Sequence, residues 1–161
     1  MSQILIYVQV PPYLKEWLIY HFGDPVVFPK GSPENAVIRT FISKRPDHIP
    51  VERPTDRDVS ICIPENAYKR PQIYNYMGPR CRKALLQCIR DIFKTQMWSD
   101  LNFDFNTSGA VDTYISAWME RNGIGLDSFD TIKKMFYTIR RYHLRCDVNL
   151  MKKTRNYRDK K

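Results

Sequence analysis

The positively charged side chains of this sequence are concentrated at one end, in residues 133–161. This segment holds eleven of the 26 Lys and Arg residues and two of the 17 Asp and Glu residues, which gives it a net charge of +9. The whole chain also carries +9, because the fifteen basic and fifteen acidic residues of positions 1–132 cancel. Lys and Arg side chains form charge-assisted hydrogen bonds with phosphate oxygens. A neutral body with a cationic end therefore predicts a polyanionic partner.

Two helical patterns position these cations. In the first, apolar residues recur at helical spacing, namely Val111, Tyr114, Ile115, Trp118 and Met119, and Asn122-Gly123 is typical of a helix end. The second predicts a helix over residues 128–145 with an apolar stripe of Phe129, Ile132, Phe136, Ile139 and His143. At about 100° per residue, the opposite face carries Lys134, Thr138, Arg141 and Arg145, with Lys133 and Arg140 at its edge.

Residues 115–134 resemble a bacterial helix-turn-helix DNA-binding motif. With Gly123 as the turn glycine, the usual apolar positions of the motif are occupied by Trp118, Ile124, Phe129 and Ile132. The chain departs from the pattern at Met119, where a small residue is usual, and at Asn122, where an apolar one is. The resemblance implies that the second helix enters the major groove of DNA. An ordinary αα-hairpin with a solvated cationic face fits the same pattern.

The candidate interface joins this second helix to a basic tail. The predicted nucleic-acid-binding residues are Lys133, Lys134, Thr138, Arg140, Arg141, Arg145, Lys152, Lys153, Arg155 and Arg158. Three helix residues, Lys134, Thr138 and Arg141, are expected to face base edges or phosphates. The tail is expected to add sequence-independent affinity by releasing counterions. Duplex DNA is the favoured partner, ahead of RNA.

The fold class predicted from the rest of the chain is α+β, with a small N-terminal sheet and helices followed by a mainly helical C-terminal part. Residues 4–10 and 58–63 alternate as strands do, and 26–28 are expected to be a short strand or an extended connection. The first strand is apolar on both faces, which predicts a central position. Helices are predicted over 12–22, 33–42 and 80–101.

The predicted 80–101 helix has two contrasting stripes. One is apolar and consists of Cys81, Leu85, Cys88 and Ile92, which predicts that both thiols lie in the core. The other is a second basic stripe of Arg80, Lys83, Arg90 and Lys94. The expected organisation is an α+β domain over 1–105, a helical hairpin over 106–147 and a basic tail over 148–161. Residues 44–57 and 64–79 are predicted loops. Because they contain tyrosines and cations, a second binding surface in these loops is a further alternative.

Motifs for catalysis are missing from the sequence. It contains no GxxxxGK[ST], GxSxG, HExxH or CxxC pattern, and its three histidines are far apart. No catalytic residue, metal site or cofactor is therefore predicted. The four cysteines are typical of reduced thiols, and the sequence lacks the apolar run of about 20 residues that a membrane helix needs. The beginning of the chain does not look like a secretory signal. These features favour a cytoplasmic protein that does not bind membranes.

The function predicted from the sequence is non-enzymatic nucleic-acid binding, in a protein of bacterial or mobile-element type. One alternative is a structural or interaction protein of a phage or ribonucleoprotein assembly, whose hairpin packs on another protein. Another is a carboxylate-metal nuclease or a recombination accessory, since scattered Asp residues can converge in space. A homo-oligomer or a protein partner is compatible with each of these alternatives.

Overall fold

The computed structural model describes residues 3–102 and 111–158, and it describes the side chains of the last helix as far as Cys146. The fold is α+β, as predicted, with a two-stranded antiparallel sheet and, among the described residues, five α-helices. The elements are β1 (Leu5–Gln9), α1 (Pro12–Phe22), α2 (Pro33–Phe41), β2 (Asp58–Cys62), α3 (Pro79–Leu101), α4 (Val111–Arg121) and α5 (Phe129–Arg158). The expected boundary near residue 105 lies outside the described residues.

The sheet buries one apolar face. Ile6 lies opposite Ile61 and Val8 lies opposite Val59, and all four side chains are buried. On its other edge β2 receives Val26, whose backbone bonds to Ser60 and Cys62 in a parallel bridge. The prediction that β1 is central is therefore wrong. β2 occupies the middle position because it pairs on both edges, with β1 on one and with Val26 on the other.

The core runs along α3. Its buried stripe consists of Leu85, Ile89, Phe93, Met97 and Leu101. Phe93 joins three other rings, with centroids 5.3 Å from Tyr13, 5.4 Å from Trp17 and 5.7 Å from Trp118. Of the predicted stripe of Cys81, Leu85, Cys88 and Ile92, Leu85 is fully buried on this face, whereas the other three side chains are only half-buried. The stripe that faces α1 and α4 follows the large residues at i, i+4 spacing, and the smaller thiols lie at its edge.

Trp118 anchors α4 to α3. Its ring is buried against Phe93, and its Nε1 donates a hydrogen bond to Asp100 Oδ2 at 2.9 Å. The neighbouring Ile115 and Met119 are also buried, as the pattern predicted, whereas Tyr114 is exposed at the edge. The hairpin formed by α4 and α5 is therefore packed on the N-terminal part through α3.

The longest described helices are α3 and α5, and both are rich in charged residues. A bilayer span requires a long, nearly uncharged apolar stretch. No helix within residues 3–102 and 111–158 meets that requirement.

Candidate nucleic-acid interface

α5 is attached to the body by one side of its first four turns. Ile132 and Phe136 are fully buried there. Two turns further on, the ring of His143 stacks on Trp98 of α3, with centroids 4.3 Å apart and planes within 5°. Stacked rings of this kind contribute both buried area and a preferred orientation. These contacts determine which side of α5 faces solvent.

The solvent side of α5 carries four predicted site residues, which we call the cationic face: Lys134, Thr138, Arg141 and Arg145. All four are exposed, at positions opposite Ile132 and Phe136. The Thr138 hydroxyl donates to the Lys134 carbonyl at 2.8 Å, within the helix, and its oxygen can still accept a hydrogen bond. Among the described residues, the three cations have no ion-pair partner within 4.0 Å. The structure therefore places these side chains together on an open surface.

Lys133 has a different environment from the cationic face. Its Nζ lies 2.8 Å from Asp112 Oδ2 of α4 and 5.7 Å from the centre of the Phe129 ring. The hydrogen bond that Lys133 donates to Asp112 is the main reason that the pKa of Lys133 is raised. Lys133 thus joins the two helices of the hairpin. Arg140, the other predicted edge cation, is half-buried.

The basic segment after residue 147 continues the helix. α5 runs to Arg158, well beyond the helix predicted over 128–145, so residues 148–158 are helical where a tail was expected. Lys152, Lys153, Arg155 and Arg158 lie in this extension, and their side chains are outside the described part. Thirty residues of helix extend about 45 Å at 1.5 Å per residue.

The connection between α4 and α5 packs on α1. Gly123 adopts a positive φ of 69°, as expected for a glycine that ends α4. The structure adds a second requirement, because a Cβ on Gly123 would lie 2.5 Å from the ring of Tyr20. Nearby, the Gly125 amide donates to Glu16 Oε2 at 2.8 Å. Residues 122–128 make a longer connection than a tight helix-turn-helix turn, and contacts with α1 hold it in place.

Asn122 has a structural role that was not predicted from the sequence. It is only 6% exposed, although the resemblance expected an apolar residue there. Its Nδ2 donates to the Trp118 carbonyl at 2.8 Å, and its Oδ1 accepts from His21 Nε2 at 2.9 Å and from Gln96 Nε2 at 3.5 Å. A buried amide is stable only when hydrogen-bonded. Asn122 therefore ties α4 to α1 and α3, and its departure from the apolar pattern was the available signal.

The other predicted cation clusters belong to the 64–79 loop and to α3. Lys69 donates to the carbonyls of Arg39, Thr40 and Ile42, so it caps the C-terminal end of α2. Tyr68 beside it is almost fully exposed. On α3, Arg80 and Lys83 are exposed, whereas Arg90 and Lys94 are half-buried. The second basic stripe is therefore partly used for packing.

Groups that could bind a metal do not converge in the described part of the chain, where no three His, Cys, Asp or Glu side chains form a cluster. The described geometry is instead that of an open cationic helix face. Comparisons of this chain with protein-family models, with curated proteins and with solved structures find no match.

Proposed function

We propose that this chain is a non-enzymatic nucleic-acid-binding protein that contacts duplex DNA through α5. The observation that carries the proposal is the cationic face, since Lys134, Arg141 and Arg145 share the exposed side of one rigid helix. Guanidinium and ammonium groups at such positions can bind phosphate oxygens or the acceptor edge of guanine. The net charge of +9 in residues 133–161 supports the same partner class.

Charge along α5 indicates which part of the helix would approach the nucleic acid. Asp127 and Asp130 lie exposed where the helix begins. They stabilise the helix N-terminus, but they repel phosphate. Between Lys134 and Arg145, the part of α5 whose side chains are described, the exposed charges are cationic. We therefore propose contact through the middle and C-terminal part of α5, in contrast to helix-turn-helix proteins that read bases with the start of the second helix.

The rigid helix and the terminal extension are expected to contribute differently. Replacing Arg141 with Ala should reduce affinity for a preferred duplex by about 10- to 100-fold, and for scrambled duplex by less, if Arg141 contacts a base. Lys83→Ala on α3 is the matched control, because Lys83 is an equally exposed cation outside the proposed interface. Binding should be measured with a duplex selected from random DNA and with a scrambled duplex.

Deletion of residues 152–161 tests the electrostatic contribution. It removes six basic residues and one acidic residue, Asp159. Affinity for all duplexes should fall together, and the slope of log K against log salt should decrease by up to about five units. Equal losses for both duplexes with Arg141→Ala would rule out base reading and leave a charge-driven interaction. Failure of the intact chain to bind either duplex at low salt would refute the proposal.

A second candidate function is supported by apolar exposure on the same helix. Tyr142 is 66% exposed and Leu144 is 53% exposed, and they flank Arg141 and Arg145. They lie about 160° apart around the helix, on opposite sides of the cationic face, so a partner that contacts both would cover that face. In this alternative α5 packs on another protein of an assembly, or on a second copy. Sedimentation velocity of the intact chain and of Leu144→Ser would test self-association. If α5 packs on a second copy, the intact chain should form an oligomer and Leu144→Ser should weaken it.

A further inference from the structure

A concave surface lies where β1 leads into α1. A cleft of about 600 Å³ is bounded by this junction, by the Asp56-Arg57 segment and by α3. Its walls include the apolar side chains of Val10 and Leu86 and three cations, Lys15, Arg57 and Arg90. These cations belong to three separate segments, so only the tertiary structure brings them together. The volume is within the range of clefts that bind small organic molecules.

The electrostatics of this cleft favour an anion. One carboxylate, that of Asp56, lines the cleft beside the three cations. Lys15 is held by a hydrogen bond from its Nζ to the backbone oxygen of Asp56 at 2.7 Å. Arg90 lies close to Tyr13, where it partly offsets the rise that burial causes in the pKa of the Tyr13 hydroxyl. A cation held in place as Lys15 is loses less conformational entropy when it binds a ligand.

A second cleft of about 560 Å³ continues from the first along α1. The two share Pro12, Lys15 and Asp56, and the second extends to Tyr20 and Gly123. Tyr20 packs one part of its ring closely against Gly123, yet 59% of the residue is exposed. A ring that is fixed on one side and open on the other can act as a stacking platform for a planar ligand.

We propose that these adjoining clefts bind a nucleotide unit, with its phosphate held by Lys15, Arg57 and Arg90 and its base stacked on Tyr20. Lys15 and Tyr20 are separated by about 8 Å along the axis of α1, a length that one or two linked nucleotides cover. The same chemistry is offered by a free nucleotide and by a nucleotide within a single strand. The site uses no residue of the cationic face, so it stands or fails independently of the proposed function.

The test is calorimetric titration of the full chain with inorganic phosphate, with adenosine 5′-monophosphate and with a short 5′-phosphorylated oligothymidylate. The monophosphate or the oligonucleotide should bind, and Arg57→Gln should weaken that binding about tenfold through loss of a charged hydrogen bond. Tyr20→Ala should weaken it about tenfold through loss of stacking, without changing the affinity for inorganic phosphate. Lys83→Gln, an exposed cation of α3 away from both clefts, is the matched control and should have no effect.

The pattern of binding distinguishes the two sources of the nucleotide. Stronger binding of the oligonucleotide than of the monophosphate assigns the site to a single strand, and equal or weaker binding assigns it to a free nucleotide. Binding of neither overturns the proposal, as does nucleotide binding that is unchanged by both Arg57→Gln and Tyr20→Ala in variants with wild-type unfolding midpoints. Arg141→Ala should leave the titrations unchanged, so this site and the duplex interface can fail separately.

Discussion

The two longest helices of the described structure have similar patterns of apolar and cationic residues but different roles in the fold. Both α3 and α5 have an apolar stripe and several cations. In α3 the buried stripe extends from Leu85 to Leu101, along most of the helix. In α5 full burial is restricted to Ile132 and Phe136 among the residues whose side chains are described. α3 is therefore the helix around which the core is organised, whereas α5 is attached to it near one end.

Two cations of α3 have partners within the fold, whereas two cations of the cationic face of α5 are open to solvent. On α3, Arg82 forms an ion pair with Glu52 and its Nε donates to the Met77 carbonyl at 2.7 Å, and Arg90 lies beside Tyr13. On α5, Arg141 and Arg145 are exposed. A charge count along the chain cannot distinguish these uses, because Glu52 and Tyr13 are far from α3 in the sequence. Exposure after folding is therefore a better indicator of a binding surface than charge alone.

The largest expected effect concerns the attachment of the hairpin to α3. Trp118→Ala should lower the free energy of unfolding by about 3–5 kcal/mol, because it removes a buried ring that packs on Phe93. Chemical denaturation would measure the change, with Thr113→Ala on the exposed side of α4 as the control. Trp118→Phe keeps a ring but removes the hydrogen bond to Asp100, and should cost less. An unchanged midpoint for Trp118→Ala would contradict the role of α3 as the scaffold.

A smaller effect is expected at the turn that sets the direction of α5. Gly123→Ala should destabilise the protein by about 1–3 kcal/mol, because it combines a positive φ with a contact against Tyr20. Gly125→Ala is the matched control in the same turn, where φ is −67° and the added Cβ would lie 3.4 Å from Glu16. Equal unfolding midpoints for the two variants would contradict both the backbone strain and the contact with Tyr20.

The comparison of cations can be tested directly with one substitution on each helix. Arg82→Gln should reduce stability by about 1 kcal/mol, because it removes a partly buried ion pair and weakens a hydrogen bond. Arg141→Gln should change stability by less than about 0.5 kcal/mol. Duplex binding should show the opposite order, with a loss only for Arg141→Gln. Chemical denaturation and duplex binding should be measured on both variants. If the two variants lose stability equally, or lose duplex affinity equally, the distinction between the cations of α3 and those of α5 is wrong.

The smallest expected effect concerns the thiol at the edge of the α3 core. Burial, with smaller contributions from Glu34 and Asp91, raises the pKa of Cys88. A raised pKa leaves less thiolate at neutral pH, so Cys88 should react severalfold more slowly than in the urea-unfolded chain. The difference should shrink as the pH increases beyond the raised pKa. A single-cysteine variant titrated with a thiol reagent would test this, and equal native and unfolded rates at neutral pH would contradict it.

Local patterns determined much of this fold. The α+β class, the helices from Pro12, from Pro33 and over 111–121, and the Gly123 turn followed from apolar spacing and from the conformational preferences of proline and glycine. The solvent side of α5 was also predictable, since Ile132 and Phe136 establish the buried side and the helical period puts Lys134, Arg141 and Arg145 opposite. These features depend on interactions within a few residues, which the order of residue types records.

Tertiary packing decided what depends on distant segments. The middle position of β2 depends on Val26 bonding to it from elsewhere in the chain. Asn122 is buried because His21 and Gln96 satisfy its amide, and Lys133 is paired because Asp112 lies on the neighbouring helix. The cleft lined by Lys15, Arg57 and Arg90 exists only because a loop and two helices meet. The spacing of residues along the chain does not predict these long-range contacts, because each contact depends on how the apolar faces of whole elements pack.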